Sequence, residues 1–147
     1  MTDEEALEVT KSLISTSTFA VLGTLTEDGF PYTSLTQIIT QAGVPYLLLS
    51  DLSDHTKNIV RDNHISLFFD GTDETNKMNS PRITLMGVAT KIDKSLVEDL
   101  FYSQHPKTKL YFSFADFNVW KLDAVRARLN AGFGKAFDFD KGDLVVT

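Results

Sequence analysis

The chain contains no cysteine, which excludes disulfides, thiolate metal sites and a cysteine nucleophile. None of its apolar runs is long enough to cross a bilayer, and the acidic N-terminus lacks the basic and then apolar pattern of a secretory signal. Cations are few and scattered, and the formal net charge is −6, so free DNA or RNA is not an expected partner. By elimination, we expect a cytoplasmic protein with no nucleic-acid or membrane partner.

The residues that are present fit a single globular domain over positions 1–147. Hydrophobic residues make up 42% of the chain and charged residues 23%, which is ordinary for a soluble fold with a real core. Phenylalanine is common, with 11 copies, and recurs to the C-terminus. We find no repeat and no low-complexity segment.

The hydrophobic period predicts one surface helix followed mainly by strands. Residues 3–15 follow a helical period, and Thr2 with Glu5 forms a capping-box pattern at its start. Two further helices are expected, from Ser53 or Asp54 to Arg61 and over 93–105. Strands are predicted over 18–26, 31–40, 45–50, 65–69, 82–91, 118–122, 125–130 and 133–139. The polar stretch 71–81 is predicted to be a mobile loop.

The connections between the early strands favour an antiparallel sheet. Asp28-Gly29 between two β-rich runs is a strong hairpin signal, and 118–122 with 125–130 has the pattern of another hairpin. We therefore predict a mainly β fold, a six- to seven-stranded antiparallel barrel with inserted helices. A doubly wound α/β fold is the alternative, and it is weaker because it requires long crossovers where these hairpins lie.

The stretch Ser50–Asn58 has the composition of a phosphate site. It follows a buried strand and opens a helix, and it supplies the hydroxyls of Ser50, Ser53 and Thr56 and the cation of Lys57. A capped helix with a solvated lysine uses the same residue types, so this stretch alone leaves both interpretations open.

Three other elements offer weaker signals. The strand 31–40 places Tyr32, Ser34 and Thr36 on one face, as in a ligand groove or an exposed barrel face. Arg82 is suited to a bidentate pair with a phosphate or carboxylate, or to a surface ion pair. The Gly132-Phe133-Gly134 run is too late for a dinucleotide fingerprint and suggests close strand or subunit packing.

Taken in order, these elements resemble the FMN-binding split-barrel family related to pyridoxamine 5′-phosphate oxidase, and within it the haem-utilisation branch. Members carry a strand ending in Ser, then Leu-x-x-His-Thr-x-Asn, which here is Ser50 and 52–58. The family's Gly-x-Pro-x-x-Ser is found at 29–34, its Pro-Arg-x-Thr-Leu-x-Gly at 81–87 and its Gly-Phe-Gly at 132–134. The resemblance covers about residues 5–140.

The resemblance implies a homodimer with two FMN sites at the subunit interface. It implies that Ser50, Thr56 and Lys57 hold the phosphate and ribityl chain. The second strand would lie along the isoalloxazine ring, and Arg82 or Arg61 would assist Lys57 because residues 31–40 contain no cation. The expected ring contacts are Ser34, Leu35 and Thr36, with Tyr32 as a further candidate.

Three functions follow as hypotheses. The first is an FMN-dependent oxidoreductase with an unknown small substrate, in which the cofactor supplies the chemistry and no catalytic side chain stands out. Vitamin B6 synthesis is not expected, because the substrate-binding Arg and His of a true oxidase are not evident. The second is a non-enzymatic flavin or haem binder, although His55, His64 and His105 are weak candidates as iron ligands and no other metal site is expected. The third is an assembly domain that has lost its cofactor.

Overall fold

A computed structural model of the chain describes residues 1–72, 75 and 77–144, and the predicted loop 71–81 therefore lies partly outside the described residues. The strands are β1 (Phe19–Leu25), β2 (Pro31–Gln41), β3 (Val44–Ser50), β4 (His64–Asp70), β5 (Arg82–Ile92), β6 (Phe117–Asn130) and β7 (Ala136–Asp140). The helices are α1 (Asp3–Thr16), α2 (Asp54–Arg61), α3 (Glu98–Gln104) and α4 (Lys141–Leu144). None of the helices in the described ranges is long and apolar enough to cross a membrane.

Six strands close into a barrel. The sheet order is β3-β2-β1-β4-β5-β6-β7, and β3 also pairs with β6, so that β7 is an extra strand outside the closed ring. Every strand pair in the described sheet is antiparallel. The first part of the long strand β6 pairs with β3 and its last part pairs with β7. The predicted mainly β antiparallel barrel is confirmed, and the doubly wound alternative is wrong.

Alternation along the strands fills the barrel interior. Leu22, Leu67 and Leu85 point inward from three neighbouring strands and are almost completely buried. A second apolar cluster lies outside the barrel, where α3 and the turns around it cover β2, β3 and β6. Its buried members are Ile39, Leu48, Val97, Phe101, Phe112 and Val119.

The predicted hairpin 118–122/125–130 is wrong, because these residues form the single strand β6. Asp123 is the only favoured turn residue between the two halves, and no Gly, Pro or Asn accompanies it to form a tight turn. The irregularity that suggested a turn is a β-bulge, where the pairing with β5 shifts between Met86 and Gly87. A Cβ atom at Gly87 would collide with the main-chain oxygen of Asp123, so the absence of a side chain permits this close approach of the two strands.

The helix starts are close to their predicted positions. Thr2 and Glu5 form the reciprocal capping box, with both N–H···O distances at 3.1 Å. The segment predicted as one helix over 93–105 is a 3₁₀ turn, Lys94–Val97, followed by α3. The carboxylate of Asp93 caps this 3₁₀ turn by accepting from the Ser95 amide at 3.0 Å.

Candidate functional site

An open groove of about 370 Å³ lies on the barrel beside the start of α2. It is bordered by β1, β2, β3 and the beginning of β6. Its lining residues are Phe19, Leu35, Thr36, Gln37, Leu48, Leu49, Ser50, Ser53, His55 and Phe117. Of the predicted site residues, the structure thus brings Leu35, Thr36 and Ser50 together.

Ser34 is linked to the start of α2 through His55. The Ser34 hydroxyl and His55 Nδ1 are 3.0 Å apart. Burial lowers the pKa of His55, and the nearby charge of Asp54 opposes this shift only in part. We therefore assign a neutral ring whose Nδ1 accepts from Ser34, which leaves an Nε2–H donor for the groove.

The first turn of α2 has the features of an anion site. Its leading N–H groups have no acceptors within the helix. Ser53 occupies the N-cap position, but its side chain makes no capping hydrogen bond in the described structure. Thr56 is only 2% exposed, and its hydroxyl has no partner among the described residues. The exposed cation of Lys57 follows directly. The Thr56 hydroxyl is closed off from the surface, and neither Thr56 nor Lys57 lines the groove. The groups that this turn offers to an anion are therefore its leading N–H groups and the ammonium of Lys57.

Ser50 lies in a different electrostatic environment. Its hydroxyl donates to Asp116 at 3.0 Å and accepts from the amide of Leu52 at 3.2 Å. A second carboxylate, that of Asp51, accepts from the Asn118 side-chain amide. Two carboxylates at this end of the groove disfavour a phosphate and favour ligand hydroxyls that can donate hydrogen bonds.

Phe117 lines one side of the groove and ends residues 111–117, which we call the wall segment. The Tyr111 hydroxyl donates to Gln37 Oε1 at 3.1 Å, and the rings of Tyr111 and Phe117 are 4.7 Å apart. The ammonium of Lys94 donates to three main-chain oxygens at the end of this segment, those of Phe112, Phe114 and Phe117, at 2.7, 2.9 and 2.8 Å. The ammonium of Lys94 thus holds the wall segment in place.

Arg82 lies at the opposite end of the barrel from α2. Asn58 and Arg61 of α2 contact Thr24 and the main chain of Leu25, at one end of β1. Arg82 pairs with Asp70, and the β1–β4 register places that position beside the other end of β1, roughly 15 Å away. Arg82 is not among the residues that line the groove. We call the two ends of the barrel the α2 end and the Arg82 end.

Several residues in and around the groove could not be identified from the sequence. Asp116, Phe117 and Lys94 lie far along the chain from the strands that they join, and no local pattern marks them. Gln37 was visible as part of the second strand, but only its bond to Tyr111 shows that it is held in the groove.

The sequence profile of the CREG β-barrel family matches residues 1–143. The chain belongs to this family. Its split barrel is of the type found in pyridoxamine-phosphate-oxidase-like proteins, which confirms the resemblance found in the sequence. No curated protein sequence matches that of this CREG β-barrel chain.

Solved structures of similar fold support this assignment. A haem-binding protein from Mycobacterium smegmatis is 26% identical with a TM-score of 0.88, over 95% of this chain and 59% of that one. The protein Atu2129 of unknown function from Agrobacterium tumefaciens is 28% identical with a TM-score of 0.83, over 97% and 61%. This CREG β-barrel chain thus spans about three fifths of the length of both proteins.

A third structure shows the fold alone. A Clostridium acetobutylicum protein of the pyridoxinephosphate oxidase family, related to general stress protein 26, is 18% identical with a TM-score of 0.77, over 97% of this chain and 99% of that one.

Proposed function

We propose that this chain binds FMN in the groove and acts as a flavin-dependent oxidoreductase on a small molecule. The observation that carries the proposal is the first turn of α2, whose leading N–H groups lack acceptors within the helix and adjoin the groove at Ser53, with the exposed cation of Lys57 beside them. An anionic oxygen of a ligand phosphate supplies the missing hydrogen-bond acceptor. The phosphate group of FMN fits this end of the groove.

The rest of the groove fits the other parts of FMN. Leu35 and Phe117 offer apolar surface for the isoalloxazine ring, alongside Thr36. The amide of Gln37 and the Nε2–H of His55 are placed to bind polar atoms at the ring edge. These groups orient a ring and leave one side of the groove open for a second reactant.

Ser50 and Asp116 are suited to the ribityl chain. A carboxylate accepts hydrogen bonds from hydroxyl groups, and Ser50 can both donate and accept. This division assigns the phosphate to the leading N–H groups of α2 and to Lys57, and the sugar hydroxyls to Ser50, which refines the shared role that the sequence predicted for Ser50, Thr56 and Lys57.

Bound FMN supplies one- or two-electron transfer, so the protein itself needs no nucleophile or strong base. The chain's own residues position the ring and limit the access of water.

The outer barrel surface supports a homodimer. Leu35, Val21 and Phe68 form a row across β2, β1 and β4 on the outside of the barrel. Leu35 is 70% exposed and Phe68 is 36% exposed, and Phe19 beside them is 50% exposed. An apolar face of this kind, left partly exposed by the residues that the structure describes, fits a second copy of the chain.

Haem is the second candidate ligand. The similar structure from M. smegmatis is described as a haem-binding protein, and the neutral ring of His55 faces an apolar groove. Iron ligation would require the other tautomer, in which Nδ1–H donates to Ser34 and Nε2 carries the free lone pair. In this alternative the chain is a carrier or a sensor.

The affinity for FMN in wild type and in Lys57→Ala tests the proposal. We expect the variant to bind FMN about 1–3 kcal/mol more weakly, because a charge-assisted hydrogen bond is lost. Lys107→Ala, on the 3₁₀ turn Pro106–Leu110, is the matched control and should bind normally. Equal affinity of Lys57→Ala and wild type would contradict the phosphate assignment. Retention of haem but not FMN on the wild type would favour the second candidate.

A further inference from the structure

A second cavity, of about 130 Å³, lies at the end of β2 that is remote from the α2 end of the barrel. Here the hydroxyl of Thr40 donates to the main-chain oxygen of Ile14 at 3.1 Å and holds α1 against β2. The cavity is bordered by α1, α4, the β2–β3 turn and the middle of β6, and its apolar lining consists of Ile14, Val44, Leu85, Leu122, Ala124 and Leu144. It shares no lining residue with the groove, so it is a separate site on the barrel.

Short side chains leave this space open. Ala124 pairs with Gly87 at the β-bulge, so neither strand has a long side chain at that point. Ser15 of α1 and Gly43 of the β2–β3 turn also line the cavity. A bulge bends its strand and redirects the neighbouring side chains, which is why bulges are frequent beside ligand sites. The shape of the backbone and the small residues on it together create the cavity.

The β2–β3 turn keeps the lining apolar although this strains the backbone. Ala42 has a φ of 51°, in the left-handed region that residues other than glycine rarely adopt, and Gly43 follows with a φ of 79°. Asn, Asp and Gly are the favoured residues at the first of these two turn positions. Asn or Asp at position 42 would bring a polar side chain to the cavity, whereas Ala does not. Backbone strain of this kind is concentrated at functional sites, which favours a ligand here.

The charged residues of the lining favour an anion. Lys11 and Lys141 are both among the residues that line the cavity. Asp123 is the one acidic residue among the described lining residues, and both of its carboxylate oxygens are engaged. One oxygen accepts from the Thr90 hydroxyl at 2.9 Å, and the other pairs with the ammonium of Lys121 at 3.5 Å. The lining therefore has two lysines against one carboxylate that is already paired.

Lys141 begins α4 between aspartates that bond to the main chain. The N–H of Asp140 donates to the Asp143 carboxylate at 3.0 Å, and the N–H of Asp143 donates to the Asp140 carboxylate at 3.1 Å. Neither of these two carboxylates forms an ion pair with Lys141. The exposed side chain of Lys141 has a long and flexible stem, which can place its ammonium at the mouth of the cavity.

We propose that this cavity binds a small carboxylate whose apolar part is about the size of one ring. A cavity of similar size between aliphatic side chains holds a single benzene ring. The apolar part of the ligand packs against Ile14, Leu85 and Leu122, which regain the contacts that an empty space denies them. The carboxylate faces the mouth, where Lys11 and Lys141 supply charge-assisted hydrogen bonds. The inference is independent of the proposed FMN function, because the two sites share no residue.

Titration of wild type with benzoate, followed by NMR of the labelled Ile and Leu methyl groups, tests the site. The methyl resonances of Ile14, Leu85 and Leu122 should shift with occupancy, and those of Leu35 and Leu49 in the groove should not. Benzyl alcohol should bind at least about fivefold more weakly, because it has the same ring without the charge, and benzylammonium should bind more weakly still. No shift with benzoate, shifts confined to the groove, or equal binding of the three compounds would overturn the proposal.

Removal of the two lysine charges tests the carboxylate contact. Lys11→Gln/Lys141→Gln should weaken benzoate at least about fivefold and leave the affinity for benzyl alcohol unchanged, since only benzoate uses the charge. Lys107→Gln/Lys135→Gln, at two exposed lysines that do not line the cavity, is the matched control and should change neither affinity. Unchanged benzoate affinity in Lys11→Gln/Lys141→Gln would contradict the assigned contact.

A larger side chain on α1 tests the position of the ligand. Ser15→Leu should obstruct the cavity and weaken both benzoate and benzyl alcohol, whereas Ser12→Leu, at an exposed position of α1 outside the lining, should weaken neither. Circular dichroism checks that both variants fold, and Ser15→Val replaces Ser15→Leu if it does not. Full benzoate affinity in the folded Ser15 variant would overturn the assigned site.

A final comparison keeps the two proposed sites apart. Saturation of wild type with FMN should leave the benzoate affinity unchanged, because the groove and the cavity have no lining residue in common. Displacement of benzoate by FMN would place both ligands in the groove and overturn the inference. Wild type that binds benzoate at the cavity but no FMN would refute the proposed function and leave this inference standing.

Discussion

The outer surface of the barrel has two apolar regions, and the residues that the structure describes cover only one of them. Ile39, Leu48 and Val119 are buried beneath Phe101 and Phe112 of the covering segment around α3. We call this the covered half. The open half consists of outward-facing residues that the described segments leave partly exposed, namely Val21, Leu35, Phe68 and Met86. Phe19 lies at its edge, where its ring also contacts His105.

The apolar surface of the two halves has two different roles. Burial of the covered half stabilises the isolated chain, because its side chains leave water when the chain folds. The open half leaves apolar surface in contact with water after folding, most of all at Leu35, so its apolar character points to another surface. The groove lies between the two halves, with Phe117 on the covered side and Leu35 on the open side.

Phe101→Ala should produce the largest effect. The side chain is completely buried in the covered half, and its removal should lower the free energy of unfolding by about 3–5 kcal/mol. Urea denaturation at several protein concentrations measures the change, which should not depend on concentration. Phe68→Ala on the open half is the matched control. A concentration-independent loss of similar size for Phe68→Ala would remove the distinction between the two halves.

Phe68→Lys should separate the subunits while leaving each barrel folded. A charge in the centre of the open half should weaken dimerisation by roughly 2–4 kcal/mol, the cost of losing a central interface residue. Sedimentation velocity would follow the dimer, and circular dichroism would check the fold. A dimer of unchanged stability would place the interface elsewhere.

Lys94→Met tests whether the covered half supports the groove. Loss of the ammonium leaves the main-chain oxygens of Phe112, Phe114 and Phe117 without this donor, and we expect a destabilisation of about 1–3 kcal/mol. The near-ultraviolet circular dichroism of Tyr111 should also weaken as the wall segment loosens. Lys91→Met, a lysine over the ring of Trp120, is the control. Unchanged stability and spectra in Lys94→Met would show that the wall segment keeps its conformation without the bonds of Lys94.

The smallest expected effect is a pH dependence from His55. Because burial lowers its pKa in the folded state, the unfolded chain binds the proton more readily, and stability should fall as the pH drops below the unfolded pKa of about 6.5. The stabilising contribution is complete above that pH. Urea denaturation of wild type and His55→Gln between pH 7.5 and 5 measures the difference, with His64→Gln as the exposed control. If the free energy of unfolding changed with pH in the same way in wild type and His55→Gln, the assigned contribution of His55 would be contradicted.

The sequence predicted the barrel because alternation and hairpin turns are local. The strand 31–41 and the Asp28-Gly29 turn carry their own signals, and so does the start of α2. The β-bulge opposite Gly87 was misread as a hairpin in β6, since a bulge and a turn interrupt the alternation in the same way. The covered half was not predictable, because the bonds of Lys94 and the contact of Asp116 with Ser50 join distant parts of the chain.

The candidate site was predicted only in part for the same reason. Thr36, Ser50 and Leu35 were found from the strands that carry them, and the structure groups them in the groove. His55 entered the sequence argument as a weak iron ligand, and its bond to Ser34 gives it a place in the groove. Arg82 was selected by residue type, and its place at the far end of the barrel could not be read from the motif.

Native mass spectrometry of the purified protein after incubation with FMN and desalting tests the central claim most directly. The account predicts a dimer that carries two FMN molecules, with the flavin lost from Lys57→Glu and the dimer retained. A monomer, a dimer that holds no flavin, or a dimer that retains haem but not FMN would contradict the account.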